Sequence, residues 1–310
     1  MSNQPQPGQD SGNPAGDPIT VIGAPVQVRP GRILNLAHHR PAAGAHADTV
    51  LFFAHGGGGN KNQWRFLWHS FAAAGYTLVA WDSLGHGDSP RPDPQLGAYR
   101  GDETVADYLA IVQRYRGRRN VLVAHSLGTG STLALLERLT ARGRLREVDA
   151  ALLLGTQLAR PVRRRPSRLP GWALEWLKPL FARRFRRLAW HPDADPALIA
   201  YESRIASRNR MATFLAIVRD APWPDAAALA ELALPIAVLS GDADGLTPAA
   251  GGLALADALP RASHAVLRDC GHQLMLERPS EVEQALRALL AESVEATAPG
   301  RPASAGGAAA

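Results

Sequence analysis

Six short apolar runs, spaced by stretches of helical composition, constrain this chain more than any other feature. They fall near 49–54, 77–81, 120–125, 148–154, 235–240 and 263–268, and helices are expected over 62–74, 102–115, 128–141, 249–258 and 280–291. Strands that alternate with helices in this way pair in parallel and are covered by helices on both faces. Two weaker strands near 19–28 and 32–38 read as an antiparallel start. The expected class is α/β, with a mostly parallel eight-stranded sheet. Open sheets of this kind bind ligands beyond the carboxyl ends of their strands. His55, Asp82, Ser126, Asp244 and His272 all follow expected strands, so the topology gathers them at one edge.

The stretch Asn120-Val121-Leu122-Val123-Ala124-His125-Ser126-Leu127-Gly128 carries the most chemistry. A buried strand runs directly into Ser126, and helical composition resumes from Ser131. A serine on a sharp strand-to-helix turn has the nucleophile-elbow arrangement. The turn strains the backbone and presents Oγ at the strand end. Small residues at 124 and 128 are needed because strand and helix approach closely there. The elbow also sets the Leu127 N–H and the helix N-terminus beside any oxyanion formed at Ser126. On these residues alone, Ser126 reads equally well as a helix cap.

A serine hydroxyl needs a base to take its proton, and the base needs a group that fixes its tautomer. Asp269-Cys270-Gly271-His272 places a histidine in a short loop after a strand. Gly241-Asp242-Ala243-Asp244, before Pro248, places two carboxylates after another. The order Ser126, Asp244, His272 is that of the α/β-hydrolase triad. With His55-Gly56-Gly57-Gly58-Gly59 and Asp82-Ser83-Leu84-Gly85-His86-Gly87-Asp88-Ser89, these motifs span about 49–290. The chain resembles a serine α/β-hydrolase of the esterase/lipase type. That resemblance implies Ser126 as nucleophile, His272 as general base and then acid, and Asp244 as the orienting carboxylate. It implies Gly57 and Leu127 as oxyanion-hole amides. Ala124 departs from the glycine that many members carry. Asp242 is the rival acid; Asp244 is preferred because the family spacing is Gly-x-x-Asp, and Asp242 is expected to hold its loop by hydrogen bonds. Relatives that open epoxides or remove halides carry aspartate where Ser126 stands.

The remaining histidines call for less. His125 is expected to pack with its side chain turned away from the site, His86 to brace the oxyanion region, and His55 to bond within its own loop. His38, His39, His46, His69, His191 and His264 lack metal-ligand spacing, so no metal is expected. The glycine run 56–59 lacks the endings of a phosphate-binding or dinucleotide-binding loop, so no cofactor is expected. Cys270 is the single cysteine, which rules out an intrachain disulfide and fits a reducing compartment. It reads as a packing residue. No apolar run is long enough to span a bilayer, and Met1 to Pro18 lacks the basic start and apolar centre of a signal peptide. Residues 1–18 and 297–310 read as disordered tails. The expected location is cytoplasmic.

The segment 157–228 interrupts the alternation, and the resemblance implies a helical cap there over a core of 19–156 and 229–296. It holds 14 lysines and arginines against six acids, a balance of +8 in a chain whose total is +6. Within it, Trp172, Trp176, Leu177, Leu180, Phe181, Phe185 and Leu188 recur at helical spacing, with arginines between them. Two readings stand. The helix packs its apolar face on the core and shows its arginines to water, or it forms a basic aromatic surface that rests on an anionic membrane. Pro179 is expected to kink or divide it. Arg163-Arg164-Arg165 comes with no nucleic-acid motif, so nucleic acid is not an expected partner. The expected activity is carboxylic ester hydrolysis on a medium or long acyl chain, such as a lipid-like ester. Acyl transfer, thioester, lactone or carbon–carbon cleavage, perhydrolysis and a non-catalytic scaffold are the alternatives. Oligomeric state is left open.

Overall fold

The computed structural model describes residues 20–94, 97–158, 171–223 and 225–297. The expected tails therefore lie outside the described residues, apart from residue 297, as does the Arg163-Arg164-Arg165 run. Eight strands form one sheet in the order β1 (Ala24–Arg29), β2 (Arg32–His39), β4 (Thr77–Asp82), β3 (Thr49–Ala54), β5 (Arg119–His125), β6 (Ala150–Leu154), β7 (Ile236–Gly241), β8 (Ala262–Leu267). The pairs β1–β2 and β2–β4 are antiparallel, and every other pair is parallel. The six apolar runs stand within two residues of their expected ends. The antiparallel start is present too, with its first strand beginning later than expected.

The central strands are apolar at consecutive positions because both faces are covered. Successive side chains of a strand point to opposite faces. Val50, Phe52 and Ala54 of β3, Leu122 and Ala124 of β5 and Leu153 of β6 enter one core. That core is closed by α2 (Gly101–Tyr115) and α3 (Leu127–Thr140), and by α8 (Ala249–Asp257). Leu51, Phe53, Val121, Val123 and Leu152 enter the other, which α1 (Arg65–Ala73) and α10 (Pro279–Thr297) close. The two end strands are different. β1 and β8 are largely half-buried or exposed, so the run 263–268 edges the sheet rather than crossing its middle.

Between β6 and β7 the chain leaves the alternation and forms α4 (Gly171–Ala189), α5 (Pro196–Ala206), α6 (Met211–Asp220) and the short α7 (Ala226–Leu229). Pro179 sits inside α4 without dividing it. Its missing N–H leaves the Glu175 carbonyl without its helical donor, a local loss that the helix tolerates. α10 runs six residues past its expected end at 291, and α9 (Leu274–Glu277) was not expected. Among the described residues no helix is long and apolar enough to cross a membrane.

The loop after β4 shows why its residues take the types they do. The buried Asp82 carboxylate accepts from the Lys61 N–H at 2.7 Å, from Lys61 Nζ at 2.8 Å and from the Asp88 N–H at 2.8 Å. Gly87 has φ +47°, and a Cβ there would lie within 2.5 Å of the Asp82 carboxylate atoms, so only glycine closes this turn. Ser89 Oγ donates to the Asp82 carbonyl and accepts from the Asn35 N–H at 2.8 Å. His86 Nε2 accepts from the Gly58 N–H at 2.9 Å, and its Nδ1 faces the Leu84 carbonyl. His55 does the same in reverse, with Nε2 accepting from the Ser83 N–H at 2.9 Å and Nδ1 donating to the Gly56 carbonyl at 2.7 Å. These two rings cross-brace the loops after β3 and β4. Both are neutral: burial lowers the pKa of His55 to about 4 and that of His86 to about 3.

Two outcomes follow from this loop. Asp82→Ala leaves the buried Lys61 ammonium with only the exposed Asp88 as partner. It is expected to lower stability by about 3 kcal/mol or more, read as a shift in urea midpoint. Acid should also destabilise the protein. Below about pH 6.5 the unfolded chain protonates His55 and His86 while the folded chain does not, so stability is full above that value and falls toward pH 4. The slope should be on the order of 1 kcal/mol per pH unit for each histidine. A urea midpoint that stays constant from pH 7 to pH 5 contradicts the neutral assignment.

Candidate active site

β5 ends at His125, and the next residue turns the chain into α3. Ser126 holds φ 52° and ψ −123°, a conformation that a residue with a side chain adopts only under constraint. The constraint is the closeness of α3 to the end of β3. A Cβ on Gly128 would lie 2.6 Å from the Ala54 carbonyl oxygen and 2.8 Å from that of His55. Both are backbone atoms with little room to move. Ala124, fully buried, fits at the position where many relatives carry glycine. The Ser126 N–H donates to the Leu154 carbonyl at 2.9 Å, which ties the elbow to β6.

The loops after β7 and β8 bring the other two side chains to Ser126. His272 Nε2 lies 2.9 Å from Ser126 Oγ, and His272 Nδ1 lies 2.7 Å from Asp244 Oδ2. Asp244 is held in turn. Its Oδ1 accepts from the Leu246 and Thr247 N–H groups at 2.8 and 2.9 Å, and its Oδ2 accepts from Thr247 Oγ1 at 2.6 Å. Burial works against its ionisation, but the bonds and charge of His272 and the bonds of Thr247 outweigh it and keep the carboxyl below its usual range. An ionised Asp244 fixes the proton of His272 on Nδ1. That leaves the Nε2 lone pair facing Ser126 Oγ, the arrangement in which an imidazole can accept the hydroxyl proton.

The expected oxyanion amides are also neighbours. A Cβ on Gly57 would lie 2.4 Å from Leu127 Cδ1, so the glycine loop rests directly on the first residue of α3. Among the described residues no protein acceptor meets the Gly57 or the Leu127 N–H. The next residue, Gly58, is pinned on both sides: its N–H by His86, and its carbonyl by Asn209 Nδ2 at 2.8 Å. Asn209 lies between α5 and α6, and Phe214 of α6 reaches the same glycines. Asp242 does not meet His272. It accepts from the Asp269 and Cys270 N–H groups, each at 3.0 Å, and so shapes the histidine loop. Cys270 is buried, and burial pushes its thiol pKa upward.

His125 departs from expectation. Its ring does not turn away; it packs on the His272 ring with centroids 4.7 Å apart, and its Nε2 donates to the His272 carbonyl at 2.8 Å. The reason is strand alternation. Ala124 faces the α2–α3 side of the sheet, so His125 faces the opposite side, where Cys270 and Leu274 bring the histidine loop down. Burial lowers its pKa to about 3. Two further residues carried no sequence signal. Thr247 braces Asp244, and Glu277 accepts from the Gly271, Gln273 and His191 N–H groups, at 3.1, 3.1 and 2.9 Å. Glu277 lies only five residues beyond His272, but spacing alone does not show that a carboxylate turns back on its own loop. Among the described residues no three His, Cys, Asp or Glu side chains cluster so as to hold a metal ion.

Comparison with known proteins agrees with this fold. Residues 51–285 match the sequence model of the alpha/beta hydrolase family. Protein ABHD8 of Bos taurus is 28% identical over 252 residues, which are 80% of this chain and 57% of that protein. The chain thus spans just over half the length of this curated relative. Among solved structures, an esterase from Exiguobacterium antarcticum superposes with a TM-score of 0.71 at 16% identity, covering 87% of this chain and 100% of that one. A bromoperoxidase from Bacillus anthracis superposes with a TM-score of 0.68 at 18% identity, covering 87% of this chain and 99% of that one. At such identities the likeness to solved structures is one of fold. The match over 51–285, set on a sheet of this order, makes the chain a member of the alpha/beta hydrolase family.

Proposed function

We propose that the protein hydrolyses carboxylic esters through an acyl-enzyme formed on Ser126. The observation that carries this reading is the unbroken relay from Ser126 Oγ through His272 to Asp244, at 2.9 and 2.7 Å. In the first half-reaction Ser126 Oγ attacks the ester carbonyl carbon, and His272 Nε2 takes its proton. The negative charge that develops on the carbonyl oxygen is met by the Gly57 and Leu127 amides. The tetrahedral intermediate collapses, the carbon–oxygen bond to the alcohol breaks, and His272 returns the proton to the departing oxygen. In the second half-reaction water attacks the acyl carbon, with His272 again as base. The acid leaves and Ser126 regains its proton. Asp244 keeps the imidazole in the required tautomer and stabilises the imidazolium formed midway.

The helices of 157–228 serve as a cap on the core of 19–156 and 229–296 in this reading. Asn209 and Phe214 support it, because both reach the glycine loop from that segment. An apolar acyl group suits the site. Phe214 and Leu127 flank the glycine loop, and Leu84, Tyr99 and Ile217 line a cavity behind it. We infer a medium or long acyl chain of which this cavity, at about 50 Å³, takes only a part. The family fold also carries other chemistries, as a bromoperoxidase neighbour illustrates, and acyl transfer or thioester cleavage would use the same three residues.

Ser126→Ala should reduce turnover of p-nitrophenyl esters by about 10⁴-fold or more and end labelling by a fluorophosphonate. Asp244→Asn should lower kcat by about 10⁴-fold, because the imidazole then takes the wrong tautomer. Labelling that survives in Ser126→Ala would disprove the scheme. A chain-length series of p-nitrophenyl esters, thioesters and lactones tests the substrate assignment. kcat/KM should peak at medium or long acyl esters; a preference for acetate or for a thioester overturns it.

A further inference from the structure

Helix α4 presents a surface that the ester chemistry does not use. Every residue from 179 to 187 is exposed, although Phe185, at 38%, is still largely covered. Trp176 is 76% exposed, Leu180 66% and Phe181 50%. Scattered apolar residues are ordinary on a protein surface, but large ones grouped on one helix mark a contact. Trp176, Leu180, Arg183 and Arg187 lie four, three and four residues apart, which sets them in one row along the helix, within an arc of about 60°. Arg184 and Arg186 flank that row. Among the described residues none of these four arginines makes an ion pair with the protein. Of the two sequence readings, the first holds in part: Leu174 is buried and the arginines face water, while Trp176, Leu180 and Phe181 stay exposed.

We propose that this face of α4 docks the protein on an anionic phospholipid bilayer. Trp176 and Leu180 would enter the headgroup–acyl boundary, and Arg183 and Arg187 would meet the phosphates, the division of labour of an interfacial helix. The charge pattern chooses among occupants. A second copy packed through the same face would gather the arginines of both copies in one contact, with no acid in the row to offset them. A nucleic-acid backbone would meet the arginines but leave Leu180 and Trp176 without a matching apolar surface. A lipid surface satisfies both sets.

The position of the helix fits such a role. Its last carbonyls lie on the site: that of Leu188 accepts from the Gly245 N–H at 2.9 Å, and that of Ala189 from the His272 N–H at 2.8 Å. Two residues after Trp176, Lys178 Nζ donates to the carbonyls of Ser207 and Asn209. Asn209 in turn holds the Gly58 carbonyl. A bilayer against the outer face of α4 is therefore separated from the acid, base and oxyanion loops by this helix and the contacts its inner side makes. The docking itself does not depend on ester hydrolysis, and it can hold where that reading fails.

Flotation of the full chain with phosphatidylcholine vesicles, with and without 30% phosphatidylglycerol, tests the proposal. Ser126→Ala should float as the wild type does, which separates docking from catalysis. Binding should favour the anionic vesicles and weaken at high salt. The double variant Trp176→Ser/Leu180→Ser should lose about tenfold in partitioning to either vesicle, and Arg183→Glu/Arg187→Glu should lose at least that much on anionic vesicles only. Both should keep wild-type turnover of soluble p-nitrophenyl acetate and wild-type melting, because the substituted positions are exposed. Wild-type protein that stays off anionic vesicles at low salt overturns the proposal. So do variants that bind like the wild type, or a chain that dimerises through α4 or binds RNA while ignoring vesicles.

Discussion

The site depends on one close approach between backbone atoms. α3 starts so near the end of β3 that position 128 has no space for a side chain, with the carbonyls of Ala54 and His55 in the way. Given that distance, the chain must reverse within a single residue after β5, and Ser126 takes the strain as φ 52°. The same closeness lays the glycine loop against Leu127, so Ser126 and the Gly57 and Leu127 amides are set by one packing contact. Strain of this kind costs about 1–3 kcal/mol and persists only where the surroundings enforce it. Here they do so through the parallel sheet, whose β3, β5 and β6 end together.

Most polar side chains near the site build loops. Asp82 collects the Lys61 and Asp88 N–H groups, Asp242 those of Asp269 and Cys270, and Glu277 those of Gly271, Gln273 and His191. Loops at a sheet edge leave backbone donors that neither strand nor helix satisfies, and a buried donor without a partner is unfavourable. Short acidic side chains meet that need and hold each loop in one shape. The buried histidines act similarly. His55, His86 and His125 are kept neutral by burial, and each can therefore donate from one ring nitrogen while the other stays free to accept. Only His272, between a carboxylate and a hydroxyl, is placed to move a proton.

Strands and site residues were legible from the sequence to different degrees. The central strands were plain because their continuous apolar runs reflect burial on both faces. β8 was harder to judge: its sequence resembles the others, yet it edges the sheet and stays half-exposed. The short α9 carries no strong local signal, since it is stabilised by packing Leu274, Met275 and Leu276 against the body. Pro179 marks a break in any propensity reading, but α4 continues through it. The contact of His125 carries no local signal, because its face follows from strand alternation together with the path of a loop 147 residues away.

The sequence alone determined the alternation of strands and helices, and from it a parallel sheet with its loops gathered at one edge. It also determined which residue types stand in those loops, since a serine on a turn, a glycine-flanked histidine and a glycine-spaced aspartate are local patterns. Only the tertiary structure decided that Ser126, His272 and Asp244 meet at hydrogen-bond distance, that Asp244 rather than Asp242 faces the imidazole, and that Asn209 and Glu277 hold the surrounding loops. It also decided that, among the described residues, Trp176, Leu180 and Phe181 on α4 stay exposed. Local patterns act through neighbours in the chain, whereas these distances are set by how far apart two strands lie and which face of a helix finds a partner.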